Sequence, residues 1–488
     1  MNKEVGFGLA SLSVCAPDDK DLASRLQKLL WGYIDTMRQY EPDEALNLSV
    51  FMLYCSYVSR NADELGLGDF DLNYSIDEVR NGLGNKYLAA EFVSYYSELC
   101  SVNSVLPDLC GIKLRSHDLS KAIVTWAAMF RSSGLSLMED SDWSIAATIW
   151  WILAEALSSD MFGRRGAKCS SLLPIAGLVT RLADVEGRSV LDFACGDGIF
   201  LATSLSHGAK SVYGREVNDG AAIRAQIICF FADPTQSHNI KVANALAAAS
   251  ATPPVQRVLV APPIGMLLRE YDIVDSGYYG DTLVELMGEG APYPRNFEDF
   301  CIAKAIASLE DGGIAVLHIS PSFLFHQHKG RAALRRTIVE KGYLRAVIEL
   351  PGGCMPSTGV KSAILVLEKK TSDKGVLIVD ADSKELAGKG YFIKSRGKCE
   401  ITEAGIDWLT NIVKSRKEMP LVSTVATREQ VLASGSNLCY GVYGSVYDFD
   451  SILDQTRSTA DIISDIQAAQ ASIDNLDTRI AAILSVIE

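Results

Sequence analysis

The stretch Val190-Leu191-Asp192-Phe193-Ala194-Cys195-Gly196-Asp197-Gly198-Ile199-Phe200-Leu201 constrains this chain more than any other. An apolar run breaks into a glycine-rich turn and then into a second apolar run, which predicts a buried strand, a tight turn and a helix. Gly196 and Gly198 carry no Cβ, so backbone N–H groups at such a turn come close to a ligand. In an open α/β sheet that ligand lies at the carboxyl end of the first strand. A second strand-like run, Ser211-Val212-Tyr213-Gly214-Arg215, ends at Glu216, about 20 residues on, where an acid accepts hydrogen bonds from a ribose diol. A purely structural strand-turn-helix would use the same glycines, and the spaced acid is what favours a nucleoside.

The turn lacks the third glycine of a dinucleotide fingerprint and the Lys-Ser/Thr of a triphosphate loop. Asp192-Phe193-Ala194-Cys195-Gly196-Asp197-Gly198-Ile199-Phe200-Leu201 resembles instead the S-adenosylmethionine motif of N6-adenine DNA methyltransferases, in particular the modification subunit of type I restriction systems, with Phe193 and Ile199 departing from the family's Pro and last Gly. The resemblance implies an α/β class I S-adenosylmethionine-dependent methyltransferase (Rossmann-like) sheet, with S-adenosyl-L-methionine as cofactor. It implies cofactor contacts from Asp192, Ala194, Cys195, Gly196, Gly198, Glu216, Asn244 and Ala261. Arg215-Glu216-Val217-Asn218 and Val242-Ala243-Asn244-Ala245-Leu246 follow in family order, with Asn244 implied beside the cofactor's adenine. Further on come the helix opened by Asn296-Phe297, the segment Ser320-Pro321-Ser322-Phe323-Leu324-Phe325, and Glu349-Leu350-Pro351. Where the family has Phe-Tyr-Thr-Pro, this chain has Ala167-Lys168-Cys169-Ser170-Ser171, which weakens the expected cofactor seat.

In that family the target motif Asn/Asp-Pro-Pro-aromatic follows the fourth strand. Its amide and a Pro carbonyl accept hydrogen bonds from the reacting amine, and its ring stacks on a flipped base. Here the strand-like run Arg257-Val258-Leu259-Val260 ends in Ala261-Pro262-Pro263-Ile264. The two prolines survive and both working side chains are gone. The resemblance therefore implies a type I-like DNA modification subunit with weak or altered catalysis, or an inactive methyltransferase-derived scaffold or sensor in a defence complex. A small-molecule or RNA methyltransferase is a third reading, since fold does not fix substrate.

Strand-like runs at 189–193, 211–215, 257–261, 313–319, 344–350 and 361–368 alternate with helical ones, which predicts a mostly parallel sheet covered on both faces. The last two runs read as a hairpin forming an antiparallel edge. Helical patterns over 21–160 predict an all-helical N-terminal domain. The expected domains are a helical 1–165, a methyltransferase-like 166–420 and a C-terminal 421–488. In the last of these Ile462, Ile466, Ala469, Ile473, Leu476, Ile480, Ile483 and Ile487 recur at alternating spacings of four and three. That 3.5-residue period predicts a coiled-coil helix covered either by an internal helix or by a partner chain, its length favouring the partner; the resemblance identifies that partner with a specificity-type subunit, with a homodimer within a larger complex also compatible.

The formal charge of −14 suits poorly a protein that grips a polyanion alone. DNA contact is accordingly expected mainly through a partner, or through local basic clusters at Arg164, Arg165 and Lys168 and at Arg331, Arg335 and Arg336. The 11 cysteines are scattered without C-x-x-C spacing, which argues for reduced thiols and no metal site, in keeping with the cytoplasmic location expected from the lack of a leader and of a membrane-length apolar run. No uninterrupted apolar stretch of about 18 residues and no basic-then-apolar leader is present, so no membrane association is expected.

Overall fold

The computed structural model describes residues 20–37, 42–62, 116–137, 145–158 and most of 173–444. Its centre is a nine-stranded sheet in the order β11-β8-β6-β7-β5-β4-β1-β2-β3. The strands are β1 (Ser189–Asp192), β2 (Ser211–Glu216), β3 (Ser237–Val242), β4 (Val255–Val260), β5 (Leu309–Ile319), β6 (Leu344–Leu350), β7 (Ser362–Glu368), β8 (Val376–Asp380) and β11 (Ser423–Ala426). Strands β3, β2, β1, β4 and β5 run parallel, and β7 lies antiparallel between β5 and β6. The expected α/β sheet is present, and every strand-like run read from the sequence is a strand.

The expected edge is not at β6 and β7. β8 extends the sheet parallel to β6, and β11 pairs antiparallel with β8, so the sheet continues past residue 420, where the sequence had placed a boundary. Val376-Leu377-Ile378-Val379 is buried at all four positions, as an internal strand of a sheet covered on both faces is. Strands β9 (Phe392–Ser395) and β10 (Lys398–Ile401) form a separate antiparallel ribbon.

Helices α1 (Lys20–Thr36), α2 (Pro42–Arg60), α3 (Ser116–Ser133) and α4 (Ile145–Ser158) make the N-terminal region helical, as expected. Tyr33 packs edge-on against Trp126 at 5.0 Å and donates its hydroxyl to the Ala122 carbonyl, joining α1 to α3. The sheet's own helices are α5 (Leu173–Ala183), α6 (Ile199–Ser206), α7 (Asp219–Ala232), α8 (Phe297–Ser308), α9 (Ser322–Phe325), α10 (Lys329–Glu340), α11 (Glu403–Ser415) and α12 (Arg428–Ala433). Helix α7 is apolar nearly all round because it is covered twice, a pattern that marks a buried helix. One side meets β2 and β3, and the other meets α2, where Tyr54 and Phe230 cross at 5.1 Å and Tyr57 and Phe231 at 5.2 Å.

The described elements up to Tyr443 form one unit. The coiled-coil stripe, the junction around Arg164, Arg165 and Lys168, and the segment Ala167–Ser171 lie outside the described residues. No described helix is long and apolar enough to cross a membrane.

Candidate functional site

Strand order reverses between β1 and β4. The two are parallel neighbours, with Val190 opposite Arg257 and Leu191 opposite Val258, while their onward connections lead to opposite halves of the sheet. Ligands of open α/β sheets bind at such a switch point, outside the carboxyl ends of the strands. The glycine turn leaves β1 there, and Ala261-Pro262-Pro263-Ile264 leaves β4 beside it.

A cleft of about 720 Å³ opens at this point, within the size range of small-molecule sites. Asp192, Ala194, Cys195, Gly196, Glu216, Asn244, Ala261 and Pro263 all line it. Pro262 is buried under the loop, and Ile264, which is 43% exposed, stands outside the lining. Gly198 does not face the cleft either. It has φ +81°, and a Cβ there would lie 2.7 Å from the Ala225 Cβ and 2.8 Å from its Cα, so this glycine lets α6 start in direct contact with α7.

The acid after β2 is fixed by the turn it faces. Glu216 Oε2 accepts from the Gly196 N–H at 2.9 Å and Oε1 from the Asn218 N–H at 2.8 Å. Asn218 in turn caps α7 by accepting from the Ala221 N–H. A carboxylate has room for further donors, so Glu216 can hold a diol while anchored. A Cβ on Gly196 would meet nothing within 4 Å, which leaves open space above the turn for a ligand. Asn244 lies in the lining with its Oδ1 accepting from the Leu246 N–H at 2.9 Å. A nucleoside-bearing cofactor fits these groups: a fixed acid, an open glycine and an amide around one cleft.

The floor carries buried ionisable groups. Asp192 is 3% exposed; it accepts from the Ala194 N–H at 3.0 Å, yet burial pushes its carboxyl up to about 8, and Glu216 adds to the rise. Lys304 donates to the Ala245 carbonyl, lies 5.2 Å from the Phe193 ring centre, and is brought down to about 8 by burial. Burial raises the Cys195 thiol well above its usual value, and Asp192 and Glu216 beside it add to the rise.

Asp192 carries a pH prediction. Its carboxyl ionises less readily folded than unfolded, so its contribution to stability is full below about pH 4 and is lost as pH rises through about 8. Asp192→Asn is expected to flatten this fall, making the variant's melting temperature roughly 2–5 °C less sensitive to pH between about 5 and 8.5. Parallel slopes for the two proteins would contradict it.

Two of the basic residues expected to touch DNA are not on the surface. Arg331 is 4% exposed and pairs with Asp299 at 2.8 Å and Glu298 at 3.5 Å. Arg335 is fully buried and donates to the Ser436, Phe323 and His326 carbonyls. Both hold the segment after β5 in place, Arg331 through Asp299 and the Ser322 hydroxyl and Arg335 through three backbone carbonyls. Arg336 is exposed and pairs with Glu340.

Sequence reasoning did not find several residues of the cleft. Arg224 of α7 pairs with Asp197 of the glycine turn, and Asp43 of α2 forms part of the wall. Only the long-range fold brings these together. The rim also carries Val217 (70% exposed), Met266 (44%) and Leu267 (71%).

The family model for N-6 DNA methylase matches residues 174–450, the span of the sheet. The methylase subunit of the type I restriction enzyme MpnII from Mycoplasma pneumoniae is 23% identical over 40% of this chain and 37% of its own length. That of EcoEI from Escherichia coli is 25% identical over 48% of each. This chain thus spans less than half the length of these curated relatives. Among solved structures, the type I restriction-modification methyltransferase subunit from Streptococcus thermophilus superposes with TM-score 0.67 at 17% identity, covering 87% of this chain and all of that one. A chain from a study of complex assembly and conformational transition in the type I system gives 0.62 at 14%, covering 97% of this chain and all of that one.

Proposed function

The chain belongs to the N-6 DNA methylase family, and from that premise we propose that it is a type I-like DNA modification subunit that binds S-adenosyl-L-methionine in the cleft at the β1/β4 switch point and acts with a DNA-reading partner, its methyl transfer weakened. The carrying observation is that the glycine turn, Glu216, Ala261 and Pro263 line one cleft. Bound there, the cofactor supplies a methyl group on a sulfonium.

The chain's own residues then have separable tasks. Glu216 and the Gly196 backbone hold the nucleoside end. Asn244 stands by for the base, and Asp192 offers a carboxylate once ionised. The loop after β4 faces the methyl acceptor. With Ala261 it has no side-chain acceptor to draw charge off an amine, a loss of about 10²–10³ in rate. With Ile264 it has no ring to stack on a flipped base, a loss of about 1–3 kcal/mol of base binding. These two substitutions favour a second reading, an inactive scaffold or sensor that keeps the pocket for stability or ligand sensing.

The partner is proposed to be a specificity-type subunit held by the 3.5-residue stripe over 462–487. Deleting residues 459–488 is expected to leave the cooperative melting of the remainder unchanged while abolishing co-purification with that subunit. Labelled-methyl incorporation into DNA by the intact complex is expected to be detectable but at least roughly 100-fold below that of an Asn-Pro-Pro-Phe enzyme. A complete blank with cofactor bound would establish the scaffold reading instead. A truncated chain that still co-purifies would remove the stripe from the assembly.

A further inference from the structure

We propose that Arg224 is a positioning residue that couples the seating of the helical N-terminal region to the shape of the glycine turn, and through it to cofactor affinity. The affinity part rests on the reading of the cleft above. Arg224 is 1% exposed. Its Nε donates to Asp197 Oδ1 at 2.8 Å, its Nη2 lies 2.5 Å from the same oxygen, and its Nη1 donates to the side-chain oxygen of Asn47. Asn47 belongs to α2 and is itself 2% exposed. One guanidinium thus spans from the turn that faces the cleft to a helix more than a hundred residues earlier in the chain.

The connection has little slack. A Cβ built on Gly220, in the first turn of α7, would lie 2.4 Å from the Asn47 Nδ2, so the Asn47 amide is seated directly against the backbone of α7. Asp43, one helical turn before Asn47, lines the cleft itself. At its start α7 also carries Asn218, whose N–H holds Glu216. Both grips on the proposed nucleoside, the acid and the glycine turn, are therefore tied to one helix, and α2 bears on that helix. A buried guanidinium with a single carboxylate must find acceptors for its other donors. If α2 shifts, Arg224 must either follow Asn47 and loosen Asp197 or leave Asn47 and strand a donor.

The consequence is reciprocal by linkage. A partner or DNA duplex that draws on the helical region alters cofactor affinity, and bound cofactor steadies α2.

Hydrogen exchange on the ligand-free full chain reads the turn directly. Asn47→Ala is expected to speed exchange of the 194–198 amides, while Asn47→Asp, which keeps an acceptor oxygen, leaves them protected. Calorimetric titration with S-adenosylhomocysteine is expected to show roughly 5–20-fold weaker binding for Asn47→Ala and near-restored binding for Asn47→Asp. If Asn47→Ala does not fold, Arg224→Lys, which keeps a charge opposite Asp197 but has no fork to span to Asn47, is read in the same way. A general loss of packing would lower the melting temperature of both Asn47 variants without separating them. Unchanged turn exchange in Asn47→Ala overturns the coupling. A wild-type chain silent toward S-adenosylhomocysteine overturns the cleft reading, and turn exchange alone then decides the coupling.

Discussion

Ala261→Asn combined with Ile264→Phe is expected to raise methyl incorporation into DNA by about 10²–10³ in the complex with its native partner. The backbone that would carry the new side chains is already in place. Ala261 leaves β4 next to the glycine turn and lines the cleft, and Pro262 is buried beneath it. The far side of the loop is held by the Phe297 N–H on the Met266 carbonyl at 2.9 Å and by the Leu268 N–H on the Arg295 carbonyl at 2.7 Å. Gly265, at φ +73°, makes the reversal between the two. An amide at 261 would face the cleft without rearrangement, and position 264 is open enough at 43% exposure to accept a ring. The single variants separate the parts: Ala261→Asn should act mainly on turnover and Ile264→Phe mainly on DNA affinity. No gain in the double variant would place the defect outside this loop, which the cofactor-seat departure at Ala167–Ser171 would then have to explain.

Gly198→Ala is expected to abolish cofactor binding and to lower the melting temperature by roughly 2–5 °C. Two independent costs meet at this residue. The left-handed backbone at φ +81° disfavours any Cβ by about 1–2 kcal/mol, and the added carbon would sit 2.7 Å from the Ala225 Cβ, an overpacking that costs typically about 1–3 kcal/mol. Relief requires α6 to move away from α7, which tilts the turn and its neighbour Asp197. Gly196→Ala is the informative contrast. Its Cβ meets nothing within 4 Å, so it should destabilise less while still obstructing the ligand's approach. Equal melting temperatures for the two variants would contradict the roles given to the two glycines.

The glycine turn, Glu216 and the loop after β4 were legible in the sequence because each is a short local pattern: apolar run, punctuation, acid at a fixed spacing. So were the strands, whose Val, Ile and Leu runs are buried from both sides. β3 was harder, since Ser237-His238-Asn239-Ile240-Lys241-Val242 lies at the sheet's edge and only alternate positions need to be apolar. The extension by β8 and β11 was passed over because β6 and β7 looked like a closing hairpin, and nothing local says that another strand will add to it. Gly198 was read as a cofactor contact on the same grounds as Gly196, although one faces a helix and the other faces the cleft. The buried roles of Arg331 and Arg335 were invisible for the opposite reason. Both read as a charged helix face until Glu298, Asp299 and the Ser436 carbonyl are folded against them. Pairings of that kind depend on contacts many residues apart, as does Asn47 with Arg224.

The cleft at the β1/β4 switch point is proposed as a nucleoside site, and calorimetric titration of S-adenosyl-L-methionine into wild-type protein and Glu216→Ala decides whether it is one. Saturable one-to-one binding by the wild type, weakened at least tenfold by Glu216→Ala as expected for losing hydrogen bonds to a charged acceptor, is the expected result. Identical heats for the two folded proteins, whether both bind or neither does, would contradict it.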